Sequence, residues 1–497
     1  MAVDVREGRD VPAEVEEFLK SAGVLVIDGE DRPARGGATF EDLDPATEDV
    51  LAEVPRATEE DVADAVAAAR AAFDDGRWGL LPPAKRVRVL TTVADLIERD
   101  AANIAWVDML DHGKPYGHAR AEMAQAADCF RYFAGWVDKV YGETIPTDPS
   151  RFVYSRREPI GVCGQIIPWN FPFLMAAWKV APALAFGNTV VLKPAEQTPL
   201  SAAWLFRLLK EAGLPDGVAN LVQGFGEEAG APLVAHRDVD KVAFTGSTEV
   251  GKLIMRESAE HLHKVTLELG GKSPFLVFDD VDVATVAKRA AFAIFYNAGE
   301  VCTAGSRLVV NEAVHDQLVE KVKGFAESTT VGPGWRDGVR MGPVVSQEQL
   351  DRVEGYVDIA KGEGAELVTG GSRVGDYDAG FFYAPTIFDR VGVDMRIAQE
   401  EVFGPVLAVQ TFSDEDEAVA VANSVPFGLA SSIWTSDLGR AHRVAARIQA
   451  GTVWVNTYGE FDNAVSFGGC KQSGFGRELG RHAVEAYTQS KHVWVAT

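Results

Sequence analysis

The feature that most constrains this chain is the alternation of short β-branched runs with helical stretches. GNTVVLKP, DKVAFTG and SPFLVF are separated by segments of helical character such as 199–212 and 249–259. This is the pattern of βα units and a parallel sheet, so an α/β fold follows. Upstream, Val62, Ala65, Val66, Ala69, Ala72 and Phe73 recur at helical spacing. Thr58 precedes them as an N-cap candidate with Asp61 three residues later, which predicts an amphipathic helix from 58 to 73. A second series has strands near 307–310, 365–368 and 406–411 and helices near 282–298, 313–327 and 346–362, and predicts a second α/β domain. At 497 residues the chain is too long for one ordinary core, so two or three domains are expected.

Charge and cysteine usage narrow the function classes. The net charge of −25 sets the chain against nucleic acid and anionic membrane as partners. The most apolar region, 159–192, is broken by Asn170, Lys179, Asn188 and several prolines. It supplies no uninterrupted span of about 20 apolar residues and reads as buried core. The opening residues MAVDVREGRDVPAE lack the basic and apolar regions of a secretory leader, so a cytoplasmic location is expected. Cys129, Cys163, Cys302 and Cys470 are far apart with no C-x-x-C spacing, which gives neither a disulfide framework nor a zinc site. His261 and His263 lack a third ligand nearby in sequence, so no metal site is expected.

Two segments carry the chemistry. LELGGKSP around Glu268 and NAGEVCTAGSR around Cys302 place a carboxylate and a thiol 34 residues apart. Small residues beside Cys302 (Val301, Thr303, Ala304, Gly305) allow close approach of a substrate. Thiol chemistry through an acyl intermediate then needs a base to activate water, and Glu268 can be that base. VDKVAFTGSTEVG reads as a strand entering a helix through a Gly-containing turn, where free N–H groups and the helix dipole favour a phosphate. Taken alone, Gly246 and Ser247 fit a simple tight turn equally well. Lys193 and Glu196 in KPAE would by themselves be a solvated pair.

Together with DPATEDV at 44–50, GQIIPWNFPF at 164–173, KPAEQTP at 193–199, FTGSTEVG at 244–251, EEVFGPV at 400–406 and FGGCKQSGFGRELG at 467–480, these segments resemble the signatures of the aldehyde dehydrogenase superfamily along nearly the whole chain. The resemblance implies an α/β architecture with a Rossmann-like NAD-binding domain (1–136 and 160–271) and an α/β catalytic domain (272–470). It also implies a small β oligomerisation element (137–159 and 485–497), and hence a homodimer or homotetramer. It places Gly246 and Ser247 against the cofactor, Lys193 and Glu196 at its adenosine ribose, and Glu401 and Phe403 at the nicotinamide ribose and ring. Ile166, Trp169 and Leu269 complete the cofactor set. A carboxylate accepting both ribose hydroxyls would repel a 2′-phosphate, which favours NAD over NADP. QGFGEEAG at 223–230 reads either as a turn or as a wall of the adenosine pocket.

By the same resemblance Cys302 attacks an aldehyde, and the amide of Asn170 with the backbone N–H of Cys302 stabilises the oxyanion; one such donor is typically worth about 3 kcal/mol. Hydride transfer leaves a thioester, which Glu268 hydrolyses through water. Lys179 is assigned to a proton path or to support of the asparagine. The substrate tunnel is expected from Phe171, Met175, Trp178, Tyr296, Val301, Thr303, Phe461 and Phe467. Such a wall suits an uncharged aliphatic, aromatic or terpenoid aldehyde. The same rings, with Glu460 and Asp462 near the mouth, would instead box a betaine or aminoaldehyde cation. Two further alternatives are a CoA-acylating semialdehyde dehydrogenase, which characteristically lacks the carboxylate of Glu268, and an inactive binding protein on this fold. Cys470 departs from the family pattern, which often has an aromatic residue there.

Overall fold

The computed structural model describes residues 3–375 and 377–497. Five parallel strands form the heart of an eight-stranded sheet: Val162–Ile166, Thr189–Lys193, Ala219–Leu221, Lys241–Thr245 and Lys264–Glu268. In space the third, second, first, fourth and fifth of these lie side by side. The chain therefore reverses its direction of travel between Val162–Ile166 and Lys241–Thr245. In a doubly wound sheet a crevice opens at that point, outside the carboxyl ends of the strands. The first strand is followed by the wholly buried helix Pro172–Ala185, and the fourth by Thr248–Ser258. The helix read from 58 to 73 spans Glu59–Asp74, and Thr58 and Asp61 form a reciprocal capping box at its start.

Six parallel strands make a second sheet, in the spatial order Thr386–Asp389, Val406–Phe412, Arg307–Asn311, Pro274–Val277, Ala430–Trp434 and Thr452–Val455. Glu366–Thr369 adds an antiparallel edge. The helices predicted near 313–327 and 346–362 lie at His315–Glu327 and Gln347–Gly362. The helix expected over 282–298 ends earlier, at Phe295. Asn297, Ala298 and Gly299 all take left-handed φ values of 51°, 54° and 75°, which no α-helix continues through. Gly299 is required there, because a Cβ would lie 2.1 Å from the carbonyl oxygen of Gly404.

A third, three-stranded sheet joins Thr144–Ile145, Arg151–Pro159 and the C-terminal strand Thr488–Ala496. Asn188 ties this arm to the first sheet. Its Oδ1 accepts from the N–H groups of Ile160 (2.8 Å) and Gly161 (3.0 Å), and its Nδ2 donates to the carbonyls of Ala183 (3.1 Å) and Tyr487 (3.0 Å). The side chain is fully buried, so none of these groups has water as a substitute. Asn188→Ala is expected to destabilise the protein by roughly 3–5 kcal/mol, since several buried backbone groups lose their partner at once. Denaturant unfolding beside the wild type checks this, and an unchanged midpoint would show that the site relaxes around the loss.

Candidate active site

A cavity of about 640 Å³ opens at the reversal point of the first sheet and is closed from the other side by the second. Trp169 and Asn170, which follow the first parallel strand, form one wall, and Thr245, Gly246 and Ser247, which follow the fourth, form the next. Glu268 and Leu269 sit at the end of the fifth. Cys302, Glu401 and Phe403 come from the second half of the chain. A short polar and apolar lining of this volume fits a cofactor-sized ligand.

The helix Thr248–Ser258 presents an open amino end to the cavity. Ser247 Oγ accepts from Val250 N–H at 3.2 Å. Among the described residues none accepts from the N–H groups of Ser247, Thr248 and Glu249. Free N–H groups at the start of an 11-residue helix are suited to the phosphates of a dinucleotide. Trp169 and Phe403 meet edge to face with ring centres 5.1 Å apart. Glu401 accepts from the N–H of Gly271 at 2.9 Å, and enclosure raises its carboxyl to about 7 against the pull of that N–H, Arg352 and Lys272. Ile166, Lys193 and Glu196 do not line the cavity. Ile166 and Lys193 instead lie in register at the ends of neighbouring strands, and Lys193 Nζ bonds Glu196 at 2.7 Å. The 223–230 segment forms a wide helical turn at Gly226–Gly230, also outside the cavity lining, with Arg56 paired to Glu228.

The left-handed turn at 297–299 delivers the segment that carries Cys302. Asn170 Nδ2 donates to the carbonyl of Glu300 at 2.9 Å, and Asn297 Nδ2 donates to the carbonyl of Asn170 at 3.2 Å. One amide hydrogen of Asn170 remains, on a side chain anchored to Glu300, which stands two residues before Cys302 in sequence. Burial pushes the Cys302 thiol up to about 12; the nearby carboxylates of Glu401 and Glu268 add to this, and the N–H groups of Thr303 and Cys302 oppose it. The thiol is therefore protonated at neutral pH and must lose its proton to react.

Glu268 is 4% exposed, and among the described residues neither carboxyl oxygen has a hydrogen-bond partner. Burial, reinforced by the charge of Glu478, raises its carboxyl well above the usual range, and Lys179 and Arg477 act in the opposite sense. Lys179 forms a buried ion pair with Glu478 and donates to Thr245 Oγ1 at 2.7 Å. Of the two roles expected for Lys179, support of Asn170 is contradicted: the asparagine's carbonyl is bonded by Lys114 and Asn297 instead. The lysine is turned away from it by its pairing with Glu478. Glu478, Lys114 and Glu122 are site residues that sequence reasoning missed. Glu478 lies inside the quoted FGRELG segment, whereas nothing in GKPYG or the helix after it signals that Glu122 lines the cavity or that Lys114 bonds the Asn170 carbonyl behind it.

All eight residues expected in the tunnel line this cavity. Trp178, Phe461 and Phe467 pack against one another with ring centres 5.5–6.2 Å apart. Glu460 and Asp462 are not part of the lining, and Glu122 and Gln125 are. Cys470 Sγ lies 3.3 Å from the carbonyl oxygen of Gly428, outside this wall. Among the described residues no group of three or more His, Cys, Asp or Glu is arranged to hold a metal ion. No helix among them is long and apolar enough to cross a membrane.

The sequence pattern of the Aldehyde dehydrogenase family matches residues 32–493. The chain is 50% identical to an aldehyde dehydrogenase of Emericella nidulans over 92% of each protein. It is 46% identical to a betaine aldehyde dehydrogenase of Bacillus subtilis over 95% of this chain and 96% of that one. Its structure is similar to the NAD+ complex of an aldehyde dehydrogenase from Bacillus cereus, with a TM-score of 0.96 and 47% identity over 98% and 99% of the two chains. The chain belongs to the aldehyde dehydrogenase family.

Proposed function

We propose that this protein oxidises an aldehyde to a carboxylic acid with NAD, using Cys302 as nucleophile, Asn170 as oxyanion donor and Glu268 as base. The observation that carries this reading is the convergence of the three side chains on one cavity that also holds an open helix amino end. NAD would supply the hydride acceptor; Gly246, Ser247 and the following N–H groups would hold its phosphates, Glu401 and Phe403 its nicotinamide half, and Lys193 and Glu196, beyond the cavity lining, its adenosine ribose. The Bacillus cereus relative's NAD+ complex supports that cofactor.

Each step then follows from the groups present. Cys302 passes its proton to water of the cavity as sulfur bonds to the aldehyde carbon, and the Asn170 amide and the Cys302 N–H receive the developing oxyanion. Loss of hydride from that carbon leaves a thioester on Cys302. Glu268 takes a proton from water as it attacks the thioester, and thiol and acid are released. A carboxyl raised by burial is a stronger base than an ordinary one, which is what water activation near neutrality requires. Glu478 and Lys179 offer that proton a route out of the buried site.

For the substrate we infer an uncharged aliphatic, aromatic or terpenoid aldehyde, supported by the aromatic wall and by the absence of Glu460 and Asp462 from it. A betaine or aminoaldehyde is the second reading, favoured by the three mutually packed rings and by the Bacillus subtilis relative. A CoA-acylating enzyme fits less well because Glu268 is present. An inactive binding protein fits less well because the full set of reactive groups is. We further infer a cytoplasmic homodimer or homotetramer. Its assembly would use the three-stranded sheet, whose edge strand leaves Trp494 64% exposed and whose central strand leaves Phe152 48% exposed.

Three outcomes are expected. Cys302→Ala should lower NADH formation with every aldehyde by at least about 10³-fold, and full activity in that variant would remove the assigned nucleophile. Glu268→Gln should keep a single burst of NADH and lose turnover by roughly 10²-fold or more. A glutamate whose carboxyl is raised is neutral at low pH and becomes the base only as pH rises through the raised value. The turnover rate should therefore climb with pH on an acid limb above the ordinary carboxylate range, and that limb should vanish in Glu268→Gln; its persistence would assign it to another group. Initial rates with hexanal, benzaldehyde and betaine aldehyde separate the two substrate readings, apolar preference supporting the first and betaine preference the second.

A further inference from the structure

Behind Asn170 lies a buried ion pair that the reaction scheme does not use. Lys114 follows the left-handed Gly113, which ends the helix Pro83–His112. The residue is 1% exposed, and its ammonium has three acceptors: Glu122 Oε1 at 3.0 Å, Glu122 Oε2 at 2.8 Å and the backbone carbonyl of Asn170 at 3.0 Å. An ammonium has three N–H donors, so all are committed and none is left for water. The same nitrogen stands 4.6 Å from the centre of the Phe171 ring, which lines the tunnel. Glu122 is fixed in return by Lys114 and shares the cavity wall.

We propose that Lys114, held by Glu122, is a positioning residue that fixes the peptide of Asn170 and so aims its side-chain amide at the oxyanion. The proposal rests on the reading of Asn170 as oxyanion donor. The Asn170 carbonyl accepts from both Lys114 and Asn297, while its side chain is anchored on the carbonyl of Glu300. Backbone and side chain are thus pinned separately, and removal of the ammonium leaves the carbonyl on the longer bond from Asn297 alone. A donor that wanders by about 1 Å loses of the order of 10²-fold in rate, so the effect should appear in the chemical step. Charge acts in the same direction. The pair stands among the buried acids Asp108 and Glu300, each of which feels the ammonium of Lys114, so its loss leaves acids without their cation next to a forming anion.

A double-mutant cycle on the full-length enzyme tests this, reading kcat for aldehyde oxidation and KM for NAD. Lys114→Met should lower kcat roughly 10- to 100-fold and leave KM for NAD within about 2-fold. In an Asn170→Ala background the same change should cost less than about 3-fold, because the group it positions is gone. Equal losses in both backgrounds, or a matching rise in KM for NAD, would overturn the positioning role. If Lys114→Met does not fold, Glu122→Gln keeps the shape and weakens the hold on the ammonium; it should show a smaller loss that also disappears with Asn170→Ala, and an additive loss would overturn the proposal. Asn170→Ala with undiminished kcat would instead overturn the oxyanion role of Asn170, and the positioning role with it.

Discussion

The site depends on one short pair of hydrogen bonds across the gap between the two large sheets. Asn170 follows the first parallel strand of one sheet, and Glu300 precedes the strand Arg307–Asn311 of the other. The bonds from Asn170 Nδ2 to the Glu300 carbonyl and from Asn297 Nδ2 to the Asn170 carbonyl lock these two chain segments together. Both are buried, so neither exchanges for water without cost. Amide and thiol are held in relation by these contacts, and neither sheet alone would hold them. A reaction that needs nucleophile and anion donor about 3 Å from one carbon demands that kind of tie.

Enclosure then sets the chemical character of the groups so assembled. Glu268 is raised well above an ordinary carboxyl, Glu401 to about 7 and the Cys302 thiol to about 12, while Lys272 is lowered to about 7. In each case burial is the largest cause, and in each it favours the neutral form. In a chain of net charge −25, burial thus biases the groups around Cys302 towards their neutral forms. The consequence for function is that charge created among these groups interacts strongly with the dipoles that face it. Two buried ion pairs stand beside these groups, Lys179 with Glu478 and Lys114 with Glu122.

Much of this was legible in the sequence, for reasons that differ from place to place. Alternating apolar runs and helical spacing located the strands at 189–193, 241–245 and 307–311 and the capped helix after Thr58, because those signals are local. The order of strands in the sheet is not local, and it is this order that opens the cavity. The tunnel residues that the resemblance gathered line one cavity, whereas Ile166, Lys193 and Glu196 lie outside that lining, since strand ends that are neighbours in register need not share a wall. Lys179 could not be placed by its distance from Asn170 along a helix, because a glutamate 299 residues away claims its ammonium. Lys114 and Glu122 were invisible for the same reason: a lysine after a glycine turn reads as solvated until the fold buries it.

The early end of the helix at Phe295 connects local strain with the site. Ala298 takes a left-handed φ of 54°, a conformation costing an ordinary residue about 1–2 kcal/mol, between Asn297 and Gly299 in the same region. Phe403 is left-handed too, at 59°, and its ring meets Trp169 at the cavity wall. Strained backbone persists only where its surroundings over-determine it. Here the surroundings are identifiable: the bond of Asn297 to Asn170 on one side, and the contact of Gly299 with the Gly404 carbonyl on the other, which leaves no room even for a Cβ. The two strained segments therefore brace each other. An unbroken helix through 299 would turn Asn297 away from Asn170 and carry Cys302 off the cavity, so the strain at these residues is the local cost of bringing a thiol from one sheet to a crevice in the other.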